Sequence, residues 1–259
     1  KKGNFDLVVI FPASFLNALM CYNAGIKYRL GIFSRVRRFP TFFYTRRTFP
    51  IGIRHAIAQT LEILKNAGLK DDGWKTDVIA PKEGFKNIKN SGRKYAVIQP
   101  GFGLAKNNGP PRLWPLKNYS KISDFLNKKY GLNIIITGSR DQKKMGDSII
   151  RGTKNKKNII NMCGKTSLNE LISVIKKAEI VIAPDTGTGH IAAALNVPLI
   201  NLMDAPIEEW RPIGDDKKII NIRHPRKIVL FENWKIFSKS GGVQTIKETE
   251  VKAAIEKLI

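Results

Sequence analysis

The sequence predicts an α/β protein built on parallel sheets. Short apolar runs of strand length, such as Ile180-Val-Ile-Ala183, alternate with helix-length segments whose apolar residues recur every three to four positions. The runs are apolar throughout rather than alternating, as expected of strands covered on both faces. A polar stretch between Lys70 and Lys94, with Gly, Pro and Lys but no sustained period, separates two such regions. The expected division is an amino-terminal domain over 1–90, a second domain over 91–242 and a carboxyl-terminal helix over 243–259.

In chain order, Asp6–Phe11 reads as a buried parallel strand, and a helix through Phe15, Leu16, Leu19, Met20 and Tyr22 follows it. Ala24–Gly31 leads into another short strand. The stretch from Arg35 to Arg47 interleaves Arg35, Arg37, Arg38, Arg46 and Arg47 with Phe39, Phe42, Phe43 and Tyr44 and has no period. It reads as a basic loop with partly buried rings, as a surface for an anionic acceptor or membrane face, or as a nucleic-acid stacking surface. His55–Leu69 is an amphipathic helix stopping at Gly68, with His55 at its surface or its start.

From Tyr95 the alternation is regular. Strands are expected at Tyr95–Gln99, Leu132–Thr137, Ile159–Asn161, Ile180–Ala183, Pro198–Leu202 and around Lys218–Ile222. Helices are expected near Tyr119–Lys129, up to about Ile150, from the capping box Ser167-Leu-Asn-Glu170 to Lys177, and over Gly189–Leu195. Residues Ile228–Gly242 follow no recognisable pattern, and Thr249–Ile259 is a terminal helix.

The net charge of +24 points to an anionic partner, whether nucleic acid, anionic lipid or a phosphorylated substrate. A drift of composition toward Lys, Asn and Ile is the other source of that charge. No apolar run is long enough to span a membrane. Two widely separated cysteines, Cys21 and Cys163, make neither a disulfide framework nor a metal cluster. No Gly-x-Gly-x-x-Gly follows a strand, which argues against a nicotinamide dehydrogenase.

The chemistry-bearing stretch is Ile180–Leu195. Asp185-Thr186-Gly187-Thr188-Gly189-His190 falls between a strand's carboxyl end and a helix's amino end, where an α/β sheet receives ligands. Free N–H groups and the positive end of the helix dipole favour a phosphate there. The structural alternatives are that Asp185 caps the helix and that His190 only packs. Around this stretch lie Arg112-Leu-Trp114-Pro115, Gly164-Lys-Thr166-Ser-Leu168, Asn196-Val-Pro198 and Trp210-Arg-Pro212. Trp114 and Trp210 read as anchors of their loops.

Together these motifs resemble glycosyltransferase family 9, the ADP-heptose:lipopolysaccharide heptosyltransferases. The resemblance covers Tyr95–Ile222 and extends more loosely to Phe5–Gly31. It implies a GT-B architecture, two Rossmann-like domains facing a cleft, the first of them incomplete. It also implies an inverting transferase moving a heptose from ADP-heptose to an anionic lipopolysaccharide inner-core acceptor. By motif, Thr186, Gly187 and His190 would hold the diphosphate and Asp185 the sugar hydroxyls, with Thr188 also among the donor-binding residues. Arg112 would lie near the ribose and phosphate, Asp141 at the ribose, and Thr166 and Leu168 along the base. Arg35, Arg37, Arg38, Arg46 and Arg47 would meet the acceptor. No cofactor or metal is expected, nor nucleic acid, and the setting would be cytoplasmic, at the inner-membrane face. The family's base is expected upstream of Lys1, so the catalytic residue is unassigned and weak turnover by this chain alone is expected. The rival reading is a non-catalytic nucleotide-sugar or nucleic-acid binding module.

Overall fold

The computed structural model describes residues 3–11, 13–32, 42–48, 55–70, 73–81, 94–101, 113–225, 228–231, 234–237 and 241–259. They fall into two compact units. The first is Lys1–Lys75 with Glu208–Trp210, and the second is Thr76–Ile207 with Arg211–Ile259.

The first unit holds β1 (Leu7–Ile10), α1 (Phe15–Asn23), β2 (Tyr28–Ile32), β3 (Arg46–Thr48) and α2 (Ala56–Asn66). Its three strands pair in parallel in the order β1-β2-β3. Ser14 opens α1 by accepting the Asn17 N–H. The Tyr44 hydroxyl fixes the same turn, donating to the Ser14 carbonyl and accepting its N–H, both at 2.8 Å. Ala18 is the fully buried residue of α1, whereas Leu16, Met20 and Tyr22, expected on its apolar stripe, are exposed. His55 starts α2, its Nδ1 accepting the Ile57 N–H at 3.2 Å, and is buried against Trp74.

Arg46 and Arg47 correct the reading of Arg35–Arg47 as a non-periodic loop. They belong to β3, whose register places them opposite Leu30 and Gly31 of β2. Backbone pairing with β2 makes this edge strand, although its side chains carry no apolar run.

The second unit runs β4 (Tyr95–Ile98), α3 (Leu116–Tyr130), β5 (Asn133–Ile136), α4 (Lys143–Gly152), β6 (Ile159–Asn161), α5 (Leu168–Lys176), β7 (Ile180–Pro184), α6 (Gly187–Ala194), β8 (Leu199–Met203), α7 (Ile207–Trp210) and β9 (Ile219–Arg223). An antiparallel hairpin, β10 (Ile228–Phe231) and β11 (Trp234–Phe237), and α8 (Glu248–Leu258) close the chain. Of α7, Glu208–Trp210 group with the first unit. The hairpin lies where the sequence showed no recognisable pattern.

The second sheet is wholly parallel, in the order β6-β5-β4-β7-β8-β9. This is the strand order of dinucleotide-binding folds, stepping outward one way from the first strand and then the other. Side chains alternate between two cores. Ala96 and Ile98 join Trp114, Tyr119, Ile122 and Ile255 on one face, while Tyr95 and Val97 join Val174, Ala192 and Ala193 on the other. Residues 243–259 were expected as a separate terminal helix, but Val251, Ala254 and Ile255 of α8 lie in the first of these cores. Likewise, the units divide at Lys75–Thr76 rather than at residue 90.

Candidate donor site at the switch point

β4 and β7 are neighbours, yet the chain leaves β4 toward β5 and leaves β7 toward β8. The carboxyl ends of two such strands flank a crevice, the usual ligand position in open α/β sheets. β7 ends at Pro184, and the Asp185 N–H still donates to the Leu202 carbonyl at 3.2 Å. Thr186 is then extended, with φ −144° and ψ 167°, and the helix begins at Gly187. Thr186 makes no side-chain cap bond, so the first N–H groups of α6, those of Gly187 and Thr188, have neither a cap nor an intrahelical partner. α6 sits close over β8 because its residues are small: a Cβ on Gly189 would stand 3.2 Å from Asn201 Oδ1.

Asp185 does not cap α6, since Thr186 holds that position. Its Oδ1 instead lies 3.8 Å from His190 Nε2, one helical turn on. The Asp185 side chain is 17% exposed and that of His190 45%, so the pair faces solvent on the imidazole side.

Behind this turn is a network of amides that the sequence did not reveal. The Thr186 Oγ1 lies 3.0 Å from Oε1 of Gln99, the residue after β4. Gln99 Nε2 donates to the Gly101 carbonyl and stands 3.3 Å from Gln142 Oε1. Gln142 Nε2 donates to the same carbonyl at 2.6 Å, and its Oε1 accepts the Ser139 N–H at 3.0 Å. Both glutamines are buried. The loops after β4, β5 and β7 are thereby bound into one platform. Glutamine at the end of an apolar strand is the signal that could have shown this, because a buried amide must find partners.

Asp141 is exposed in a single 3₁₀ turn, Arg140–Gln142, just after β5. Thr166 is half-buried after β6, and Leu168 is 64% exposed at the start of α5, which the expected Ser167–Glu170 capping box opens. Gly164 joins these two loops. Its φ is +72°, its N–H donates to the Gly138 carbonyl at 2.8 Å, and a Cβ there would lie 2.7 Å from Arg140 Cα. Asp141, Thr166 and Leu168 therefore share the carboxyl edge with Asp185–His190 but stand over neighbouring strands. From β6 to β7 is three strand spacings, about 15 Å. That spread suits an extended ligand and not a point-like one.

Arg112, Arg35, Arg37 and Arg38 lie outside the described residues. Arg46 and Arg47 are exposed on β3 in the first unit. Trp114 is fully buried, with its Nε1 donating to the Ile246 carbonyl at 2.8 Å, which makes it an anchor. Trp210 is 46% exposed. Burial pushes the Cys163 thiol up to about 11, as expected of a buried structural cysteine. Among the described residues, no group of three or more His, Cys, Asp or Glu side chains is placed to hold a metal ion.

The family model of Glycosyltransferase family 9 (heptosyltransferase) matches residues 1–235. The chain belongs to that family. The relatives it matches here are distant. Lipooligosaccharide heptosyltransferase 2 of Haemophilus influenzae is 25% identical over 276 residues, covering 99% of this chain and 76% of that protein. Lipopolysaccharide heptosyltransferase 3 of Escherichia coli K12 is 29% identical over 223 residues, covering 82% of this chain and 62% of that one. The chain thus spans between 59% and 76% of the length of the first three relatives. Among solved structures, that of E. coli ADP-heptose lipopolysaccharide heptosyltransferase II matches with a TM-score of 0.72 at 19% identity, covering 98% of this chain and 76% of its own. A family 9 glycosyltransferase from Veillonella parvula matches with a TM-score of 0.73 at 17% identity, covering 99% and 74%. At such identities the likeness is one of fold, and it shows the parallel α/β architecture of GT-B heptosyltransferases expected from the motifs.

Proposed function

We propose that the chain serves a glycosyltransferase that moves a heptose from ADP-heptose to an anionic lipopolysaccharide inner-core acceptor with inversion. The observation that carries this reading is the turn Asp185–His190, seated at the switch point of a sheet in a family 9 chain. The N–H groups of Gly187 and Thr188, the dipole of α6 and His190 hold the diphosphate. Asp185 accepts from sugar hydroxyls. Asp141 meets the ribose, and Thr166 and Leu168 flank the base, with Arg112 near the ribose and phosphate.

In the reaction a base takes the proton of the acceptor hydroxyl, whose oxygen bonds to the anomeric carbon as the sugar–phosphate C–O bond breaks. The electron pair leaves on the ADP oxygen, where fixed N–H donors stabilise the developing charge without reorganising. The chemistry needs no metal or cofactor in this reading. Arg35, Arg37, Arg38, Arg46 and Arg47 face the acceptor's anionic groups. The setting is the cytoplasmic face of the inner membrane, with nucleic acid no part of it. Among the described residues no helix is long and apolar enough to cross a membrane.

A thermal-denaturation series with ADP-heptose tests the reading. A ligand that binds only the folded chain stabilises it by about 2.7 kcal/mol at a hundred times its Kd. The expected result is a concentration-dependent rise in Tm for the wild type that His190→Ala reduces. No rise at millimolar ADP-heptose would contradict the reading.

A further inference from the structure

The hydrogen-bond directions behind α6 run one way, and they fix where the Thr186 proton goes. A backbone carbonyl only accepts and a backbone N–H only donates. Gln142 is held between one of each, its Nε2 on the Gly101 carbonyl at 2.6 Å and its Oε1 on the Ser139 N–H at 3.0 Å. The Gln99 amide meets the same Gly101 carbonyl and, at 3.3 Å, the Gln142 Oε1. Both are acceptors, so the atom facing them is Nε2 and the atom facing Thr186 is Oε1. Thr186 Oγ1 stands 3.0 Å from that Oε1 and 3.2 Å from the Pro184 carbonyl. A threonine hydroxyl has one proton, and both inward neighbours of Thr186 are acceptors, so that proton is drawn inward. Gln99 is 6% exposed and Gln142 2%, so water does not substitute for these partners. With its proton drawn inward, the half-buried Thr186 has only hydroxyl lone pairs left to offer a ligand.

In place of the diphosphate role that the resemblance implies for Thr186, we propose that its hydroxyl receives a sugar hydroxyl of the bound nucleotide-sugar and not a phosphate oxygen. The assignment rests on the nucleotide-sugar reading above and divides the labour within that site. A phosphate oxygen at Oγ1 would set lone pair against lone pair with no proton between them. A ribose or transferred-sugar hydroxyl brings its own proton. The diphosphate is left to the N–H groups of Gly187 and Thr188, which have protons to give. Gln99 is then a positioning residue, acting through Thr186.

Calorimetry on the wild type, Thr186→Val, Thr186→Ala and Thr186→Ser, each with inorganic diphosphate, ADP and ADP-heptose, tests this. Thr186 makes no side-chain cap bond, so the substitutions spare the start of α6. The expected result is that Thr186→Val and Thr186→Ala hold diphosphate within about twofold of the wild type. Both should lose about fivefold on a hydroxyl-bearing ligand, the worth of one neutral hydrogen bond, and Thr186→Ser should restore it. A loss on ADP and ADP-heptose alike assigns the ribose hydroxyl, and a loss on ADP-heptose alone assigns the transferred sugar. Either outcome supports the proposal. An equal loss on diphosphate, or no loss on any ligand, overturns it while leaving the nucleotide-sugar reading in place. Failure of the wild type to bind any of the three overturns the nucleotide-sugar reading, and this assignment with it.

Discussion

The indole Nε1 of Trp114 donates to the Ile246 carbonyl at 2.8 Å, bonding the loop before α3 to the segment before α8 across 132 residues of sequence. The ring also packs edge-on against Tyr119, with centroids 4.7 Å apart. Both side chains are fully buried, in the core that α8 shares. Trp114→Phe removes the donor and strands a carbonyl inside. We expect it to cost about 1 to 3 kcal/mol of stability, and Trp114→Ala about 3 to 5. Urea denaturation of the two variants measures this, and losses below about 0.5 kcal/mol would show that the anchor is dispensable.

Gly164→Ala should destabilise the chain by more than about 1 kcal/mol and weaken nucleotide binding as well. The residue combines a φ of +72° with a Cβ position 2.7 Å from Arg140 Cα, so the loops after β5 and β6 would be forced apart. Unfolding and ADP affinity measured on one preparation check both effects. Unchanged affinity in a destabilised variant would separate this hinge from the site.

Glu250 joins the first turn of α8 to the end of β9. Its Oε1 lies 2.9 Å from His224 Nε2 and its Oε2 accepts the Lys247 N–H at 2.8 Å. Burial works to raise its pKa, but these hydrogen bonds outweigh it and hold the carboxyl below the usual range. A depressed folded value means the contribution to stability is present above the unfolded pKa, about 4.3, and is lost as pH falls through the folded one. The stability gap between wild type and Glu250→Gln should therefore be steady near neutrality and close below about pH 4. With the side chain 39% exposed, solvent screening holds that gap to about 1 kcal/mol or less. A gap independent of pH, in urea titrations from pH 3 to 7, would contradict the assignment.

Much of the fold is written in local pattern. The apolar runs of β4, β5 and β7 are unbroken because both faces of the sheet are covered, β8 departs from this only at the buried Asn201, and each run stops at a polar or turn-forming residue. β3 escapes such reading because Arg46-Arg47-Thr48 carries no apolar run and pairing with β2 alone makes it a strand. The hairpin β10–β11 has only a weak local signal: Ile228–Phe231 and Trp234–Phe237 are two short, largely apolar runs separated by two residues without the Asn-Gly or Gly-containing pair that marks a tight turn.

The site divides in the same way. Asp185–His190 is contiguous, so its place at a strand end and helix start could be read directly. For Gln99 and Gln142 the sequence offers at most a polar residue ending an apolar strand, since their partners lie 87 and 43 residues away and only the strand order brings them together.

The central claim is that the turn Asp185–His190 grips an adenine nucleotide-sugar. Calorimetry of the wild type and Asp185→Ala with ADP, UDP, GDP and ADP-heptose tests it most directly. ADP is expected to bind the wild type more tightly than UDP or GDP. Asp185→Ala is expected to weaken ADP-heptose by about ten- to a hundredfold, the worth of a hydrogen bond to a carboxylate, while sparing ADP. Equal affinity for the three diphosphates, or an Asp185→Ala variant that binds ADP-heptose as the wild type does, would contradict it.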